Sequence, residues 1–173
     1  MFSVRNEDEL KYSLFSFLNT YICPSIKICD EQKHHNKIRA HLYSRKIKTH
    51  PDIIFECDNT PIMFIEIKTK YSLDPANNIV NFYKDNFKQR TNGNSGKICK
   101  CVDQLYSYMI LDSINYGLLT SIDSSWFFEV KENQDLVVSN EIKNTQLHQF
   151  LLSIFNKQLS HFSVFKKTLS IEN

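Results

Sequence analysis

Three side chains in this sequence have the types and spacing to act together on a substrate: Asp52, Glu66 and Lys68. They lie in two β-rich runs, Asp52 to Cys57 and Ile62 to Lys68, separated by Asp58-Asn59-Thr60-Pro61, whose residues favour turns. The expectation is a hairpin. Alternation along a strand sends Glu66 and Lys68 to one face and Met63, Ile65 and Ile67 to the other, so one face carries chemistry and the other packs. Asp52 stands fourteen positions before Glu66, and a short hairpin folds it back beside that residue. Two carboxylates and an ammonium then share a pocket. Paired acidic oxygens suit Mg²⁺ or Mn²⁺, hard cations that keep several waters and neutralise charge developing on a phosphodiester, while a lysine stabilises an attacking hydroxide. Taken alone, an E-x-K run has a plainer reading, a charge pair on the solvent face of an ordinary hairpin.

The elements that must position these residues can be read from periodicity. Asn6 to Ile22 carries Leu10, Leu14, Phe17, Leu18, Tyr21 and Ile22 at helical spacing, and Asn6 with Glu9 resembles a capping box. At about a hundred degrees per residue, Glu7 falls inside the apolar stripe and Glu9 nearly opposite it. An inward Glu7 needs a partner, which a metal site would supply; otherwise it complements the helix dipole. Ile98 to Ile114 reads as a second helix with Ile98, Val102, Leu105 and Met109 buried, and with Gln104 and Tyr108, four apart, along another line. Strands are expected at Tyr116 to Ile122, Trp126 to Val130 and Leu136 to Ser139, then a helix at Thr145 to Lys157.

Between these elements the pattern is less regular. Pro24 closes the first helix, Ser25 to Cys29 reads as a short strand, a polar basic loop follows Asp30, and Ala40 to Lys48 reads as a strand leading into the hairpin. His34, His35 and His41 lack ligand spacing and read as surface histidines. Tyr71 to Lys97 is a long polar segment. Within it Phe82, Tyr83 and Phe87 stand beside Lys84, Lys88 and Arg90, a mixture that stacks on bases in some proteins and more often docks a short helix onto the core.

Pro51-Asp52 followed by Glu66-Ile67-Lys68 resembles the PD-(D/E)xK nuclease superfamily of restriction endonucleases and RecB-like nucleases. Gln104 and Tyr108 resemble the Q-x-x-x-Y motif of RecB-like members. Tyr116 to Phe128, YGLLTSIDSSWFF, is similar to the nuclease-like domain of Crinkler-type proteins. The resemblance implies an α/β fold with an αβββαβ core, a central mixed sheet flanked by helices, over residues 7–130, and a C-terminal helical extension over 144–173. It also implies a metal-dependent nuclease acting on DNA, with Asp52, Glu66 and the Ile67 carbonyl as ligands of Mg²⁺ or Mn²⁺. Lys68 would serve the attacking hydroxide, Glu7 rather than Glu9 would reach the site from the first helix, and Gln104 with Tyr108 would orient substrate. The alternatives are a cap-snatching type of RNA endonuclease, which often adds an upstream histidine and fits Gln104 and Tyr108 poorly, and a binding module that keeps this fold without turnover.

At 173 residues, 42% apolar and 13% aromatic, with three glycines and four prolines, the chain is expected to form one packed domain over 1–173. The net charge of +2 does not demand a polyanionic partner, but Gln32 to Pro51 holds six Lys or Arg, four His and no acid, a bias suited to a phosphate backbone or to a solvated face. Five cysteines in no regular array, without an apolar leader or a membrane-spanning run, point to a soluble protein of a reducing intracellular compartment, the nucleus included. Cys99-x-Cys101 with His34-His35 misses zinc-finger spacing, and no cysteine after Gln104 supports an iron–sulfur cluster. A monomer and a dimer both fit the sequence.

Overall fold

Asn6 holds extended backbone (φ −150°, ψ 171°) and its Oδ1 accepts from the Glu9 amide at 2.9 Å, satisfying one of the free donors that open a helix. Helix α1 (Glu7–Phe17) starts there. In this computed structural model, which describes residues 6–26, 38–69, 73, 79, 94–121 and 123–155 (the side chains of 94–96 excepted), α1 runs into a π turn at Leu18–Ile22 and a 3₁₀ turn at Cys23–Ser25. The π turn presents Asn19 to the sheet: its Nδ2 donates to the Ala40 carbonyl at 3.2 Å and its Oδ1 accepts from the Ala40 amide at 3.1 Å. An amide side chain thus takes the place of a neighbouring strand at that residue. The short strand expected at Ser25 to Cys29 is not found at its start, since Ser25 closes the 3₁₀ turn around Pro24; residues 27–29 lie outside the described residues.

Strands β1 (Ile38–His41), β2 (Ile53–Cys57) and β3 (Thr60–Ile67) form an antiparallel meander, followed by helix α2 (Asn94–Leu111), β4 (Tyr116–Thr120), β5 (Ser124–Val130), β6 (Leu136–Val138), β7 (Ile142–Lys143) and a helix α3 over residues 144–155. The protein is α/β: the described residues form a mixed sheet of seven strands in the order β1-β2-β3-β4-β5-β6, with β7 pairing with β5, and include the three helices α1, α2 and α3. Among the described strands only the β3–β4 pair is parallel, and a parallel pair needs the long crossover that the segment containing α2 supplies.

Successive residues of the inner strands feed two cores. Ile53, Phe55, Met63, Ile65, Ile67, Leu118 and Phe127 pack against Leu18 and Ile22 of the first helical segment and Leu147, Leu151 and Phe155 of α3. Ile54, Phe64, Leu119, Trp126 and Phe128 pack against Ile98, Val102, Leu105 and Met109 of α2. Near-continuous apolar runs are what a sheet covered on both faces requires. A Cβ on Gly117 would lie 2.7 Å from Met109 Sδ, so α2 sits on β4 at a distance that glycine permits.

Several boundaries differ from the sequence reading. The hairpin turn is two residues, not four: Asp58 (φ 49°) and Asn59 (φ 61°) both take left-handed backbone, which matches the twist of the flanking strands. Strand β3 therefore opens at Thr60, and Pro61 is accommodated where the register shifts beside Glu56. Strand β1 ends at His41 rather than running to Lys48, and at the far end of that stretch the Asp112 carboxylate takes the amides of Lys48 at 2.6 Å and Thr49 at 3.1 Å, together with the Thr49 hydroxyl. Those donors are spent on a side chain instead of a ladder. Residues His34, His35, Phe82, Tyr83, Lys84, Phe87, Lys88 and Arg90 lie outside the described residues, whereas Leu73 and Ile79 are buried in the α2-side core. No helix among the described residues is long and apolar enough to cross a membrane.

Candidate active site

The hairpin brings Asp52 and Glu66 together as the spacing predicted. Ile53 pairs with Ile65, so one further step along the antiparallel register sets Asp52 opposite Glu66 at the mouth of the β2–β3 pair. Asp52 Oδ2 accepts from the Ile67 amide at 2.9 Å. Within a strand the N–H and C=O of one residue point to the same side, so the Ile67 carbonyl also faces the Asp52 side of β3.

Glu66 is 2% exposed. Its Oε1 accepts from Lys68 Nζ at 2.6 Å, and its Oε2 is buried with no hydrogen-bond partner among the described residues. A buried carboxylate oxygen left bare costs free energy. Burial pushes the Glu66 carboxyl above its ordinary range; Lys68 opposes that rise, while the charges of Asp52 and Glu7 add to it. Burial alone would lower Lys68, yet the Glu66 carboxylate and the Glu7 charge raise it on balance. Cys101 on α2 is pushed up to about 11, chiefly by burial, with Lys68 opposing and Glu66 and Glu7 adding. The two acids thus raise both of their neighbours, the sign expected where negative charge is in excess.

Glu7 stands on the predicted helical line but is exposed rather than inward. At the first turn of α1 it projects past the end of the sheet, where its Oε1 accepts from the Thr69 amide at 3.3 Å. Glu9 supplies the amide held by the cap. One turn on from Glu7, Lys11 donates from Nζ to Asp52 Oδ1 at 3.1 Å. The sequence reading missed Lys11. Its signal was available, since Lys11 is four residues from Glu7 and so shares its face. Gln104 Nε2 donates to the Tyr108 hydroxyl at 2.9 Å; the pair is brought together as spaced, and its bond is internal to α2 rather than to Asp52, Glu66 or Lys68. His41, read as a surface histidine, is partly buried, with Nε2 3.5 Å from Glu56 Oε2.

The donor set fits a hard divalent cation. It consists of a bare Glu66 oxygen, an Asp52 oxygen held only by a lysine, and a backbone carbonyl on the same side, all of them oxygens. Among the described residues no three His, Cys, Asp and Glu side chains are grouped so as to hold a metal. A divalent cation held here would have Asp52 and Glu66 as its carboxylate ligands and the Ile67 carbonyl beside them, and water would complete the shell as Mg²⁺ prefers. No family model, curated protein or solved structure matches this chain.

Proposed function

We propose that this protein is a divalent-cation-dependent nuclease that hydrolyses phosphodiester bonds in DNA, on a core of the restriction-endonuclease-like type. The observation that carries the reading is the Glu66 carboxylate, buried with one bare oxygen, faced by Asp52 and bonded to Lys68 two residues along its own strand. For a purely structural ion pair, a facing acid and a bare buried oxygen would both add cost. The element order α1-β1-β2-β3-α2-β4 is also the order the resemblance requires.

Asp52, Glu66 and the Ile67 carbonyl would hold Mg²⁺ or Mn²⁺. When bound, the cation supplies charge neutralisation at the phosphate and activates water. Lys68 lies beside the Glu66 carboxylate and is kept charged by it, so its ammonium orients the nucleophile and stabilises charge on the phosphate oxygens. Glu7 restrains the backbone just after Lys68 through Thr69. Gln104 and Tyr108 present a pre-bonded amide and phenol for substrate to engage. For the rival that places an upstream histidine in the metal site, His41 gives no support, being engaged by Glu56 rather than by Asp52 or Glu66.

The test is one incubation series with supercoiled plasmid, linear duplex, single-stranded DNA and RNA, each in EDTA, Mg²⁺ or Mn²⁺. DNA should be cut only with metal, and Asp52→Asn should be inert. Cleavage of RNA alone would replace this reading with the RNA endonuclease, and binding without cleavage of any substrate would replace it with a silent module.

A further inference from the structure

Lys11 belongs to none of the motifs, yet it is bonded to a carboxylate oxygen of Asp52. Asp52 Oδ2 is fixed by the Ile67 amide at 2.9 Å, leaving Oδ1 as the oxygen free to meet a cation, and Lys11 Nζ lies 3.1 Å from it. The Lys11 and Asp52 side chains are 25% and 27% exposed, so the ammonium reaches in from the solvent side on a flexible stem. A divalent cation at Oδ1 and the lysine charge cannot both sit against one oxygen without strong repulsion. Lys11 is partly buried one helical turn from Glu7, which is exposed and accepts from the Thr69 amide just after Lys68.

Resting on the nuclease reading, we infer that Lys11 is a positioning residue that holds Asp52 as a stand-in cation in the metal-free site, and that metal displaces it onto a phosphate of the nucleic acid backbone. Two consequences follow. Metal affinity is reduced by the fraction of molecules in which Lys11 holds Asp52. Phosphate binding gains one cation only when metal is present, which couples loading of the site to engagement of DNA.

The test uses calorimetric titration with MnCl₂ alone, and DNA affinity against salt concentration in Ca²⁺ or EDTA with a short duplex. Lys11→Met should bind Mn²⁺ about tenfold more tightly than wild type. Lys11→Arg, which keeps the charge beside Asp52, should bind no more tightly than wild type. Lys100→Met, which removes an exposed lysine of α2, should stay within about twofold and so separates this contact from a general loss of charge. In Ca²⁺ the salt slope for DNA should fall by about one in Lys11→Met, with equal slopes in EDTA. Thermal unfolding of Lys11→Met and Lys11→Arg alongside wild type reports whether each is folded. Equal or weaker Mn²⁺ binding by a folded Lys11→Met overturns the inference while leaving the nuclease reading intact, provided Asp52→Asn abolishes binding. Absence of Mn²⁺ binding in wild type overturns both.

Discussion

Two glutamates lie buried in adjacent strands of one sheet, Glu66 on β3 at 2% exposure and Glu56 on β2 at 6%, and their surroundings differ in kind. Glu56 has His41 Nε2 3.5 Å away and opens on a cleft of about 340 Å³ that it shares with Arg39, His41, Asp58 and Asn59. Basic groups predominate among its neighbours on β1. Glu66 has Lys68 on one oxygen, no hydrogen-bond partner among the described residues on the other, and the charges of Asp52 and Glu7 nearby. Burial of an acid is therefore not by itself a sign of function. An acid buried beside further acids, with an oxygen left bare, is a place where the fold gives up stability that a bound cation would restore.

The largest effect should come from Lys68. Lys68→Met keeps the apolar stem and removes the charge, so cleavage should fall by about a hundredfold or more while folding and Mn²⁺ affinity survive. Equal rates under matched metal and salt would make Lys68 a structural lysine and remove the distinction between the two glutamates. Next is the metal's effect on stability. At a concentration about a hundred times its Kd, Mn²⁺ should stabilise wild type by about 2.7 kcal/mol, and Asp52→Asn should lose most of this. Calorimetric scans giving the same shift for both proteins would show that the cation binds elsewhere.

A smaller effect concerns the loop that leads into Asp52. Burial would raise the Asp112 carboxyl, but the Thr49 hydroxyl and the amides of Lys48 and Thr49 outweigh it and hold the group below its ordinary 3.8. With the folded-state value depressed, the unfolded chain binds more protons across that window. The contribution is thus complete above 3.8 and lost as pH falls through the folded-state value. Asp112→Asn should cost about 1–2 kcal/mol near neutral pH and show a shallower loss in acid. Parallel acid limbs for the two proteins would mean that Asp112 does not fasten the loop. The smallest effect should be at Glu56: Glu56→Gln keeps an acceptor for His41, and cleavage should stay within about twofold of wild type. A loss comparable to that of Lys68→Met would place the β1–β2 cleft in the chemistry and break the comparison.

Much of the site was legible because it depends on short-range geometry. Alternation placed Glu66 and Lys68 on one face, with Met63, Ile65 and Ile67 packing on the other. Helical spacing joined Gln104 to Tyr108. The turn at Asp58-Asn59 set the register that brings Asp52 opposite Glu66, though its length was misjudged because left-handed backbone at both residues allows a tighter reversal than Pro61 suggested. Helical phase put Glu7 on the correct line but could not say where the sheet ends, and beyond that end a residue on the packing line is exposed.

What the sequence determined by itself was periodic: which residues share a face, which alternate, and where helices and strands follow one another. Tertiary structure decided the partners. Lys11 meets Asp52 across 41 positions, Asp112 meets Thr49 across 63, and Asn19 meets Ala40 across 21. Each of these contacts depends on how one element docks against another. Periodicity reports only on neighbours a few residues apart, whereas the charge around a carboxylate is summed over whatever the fold brings near it.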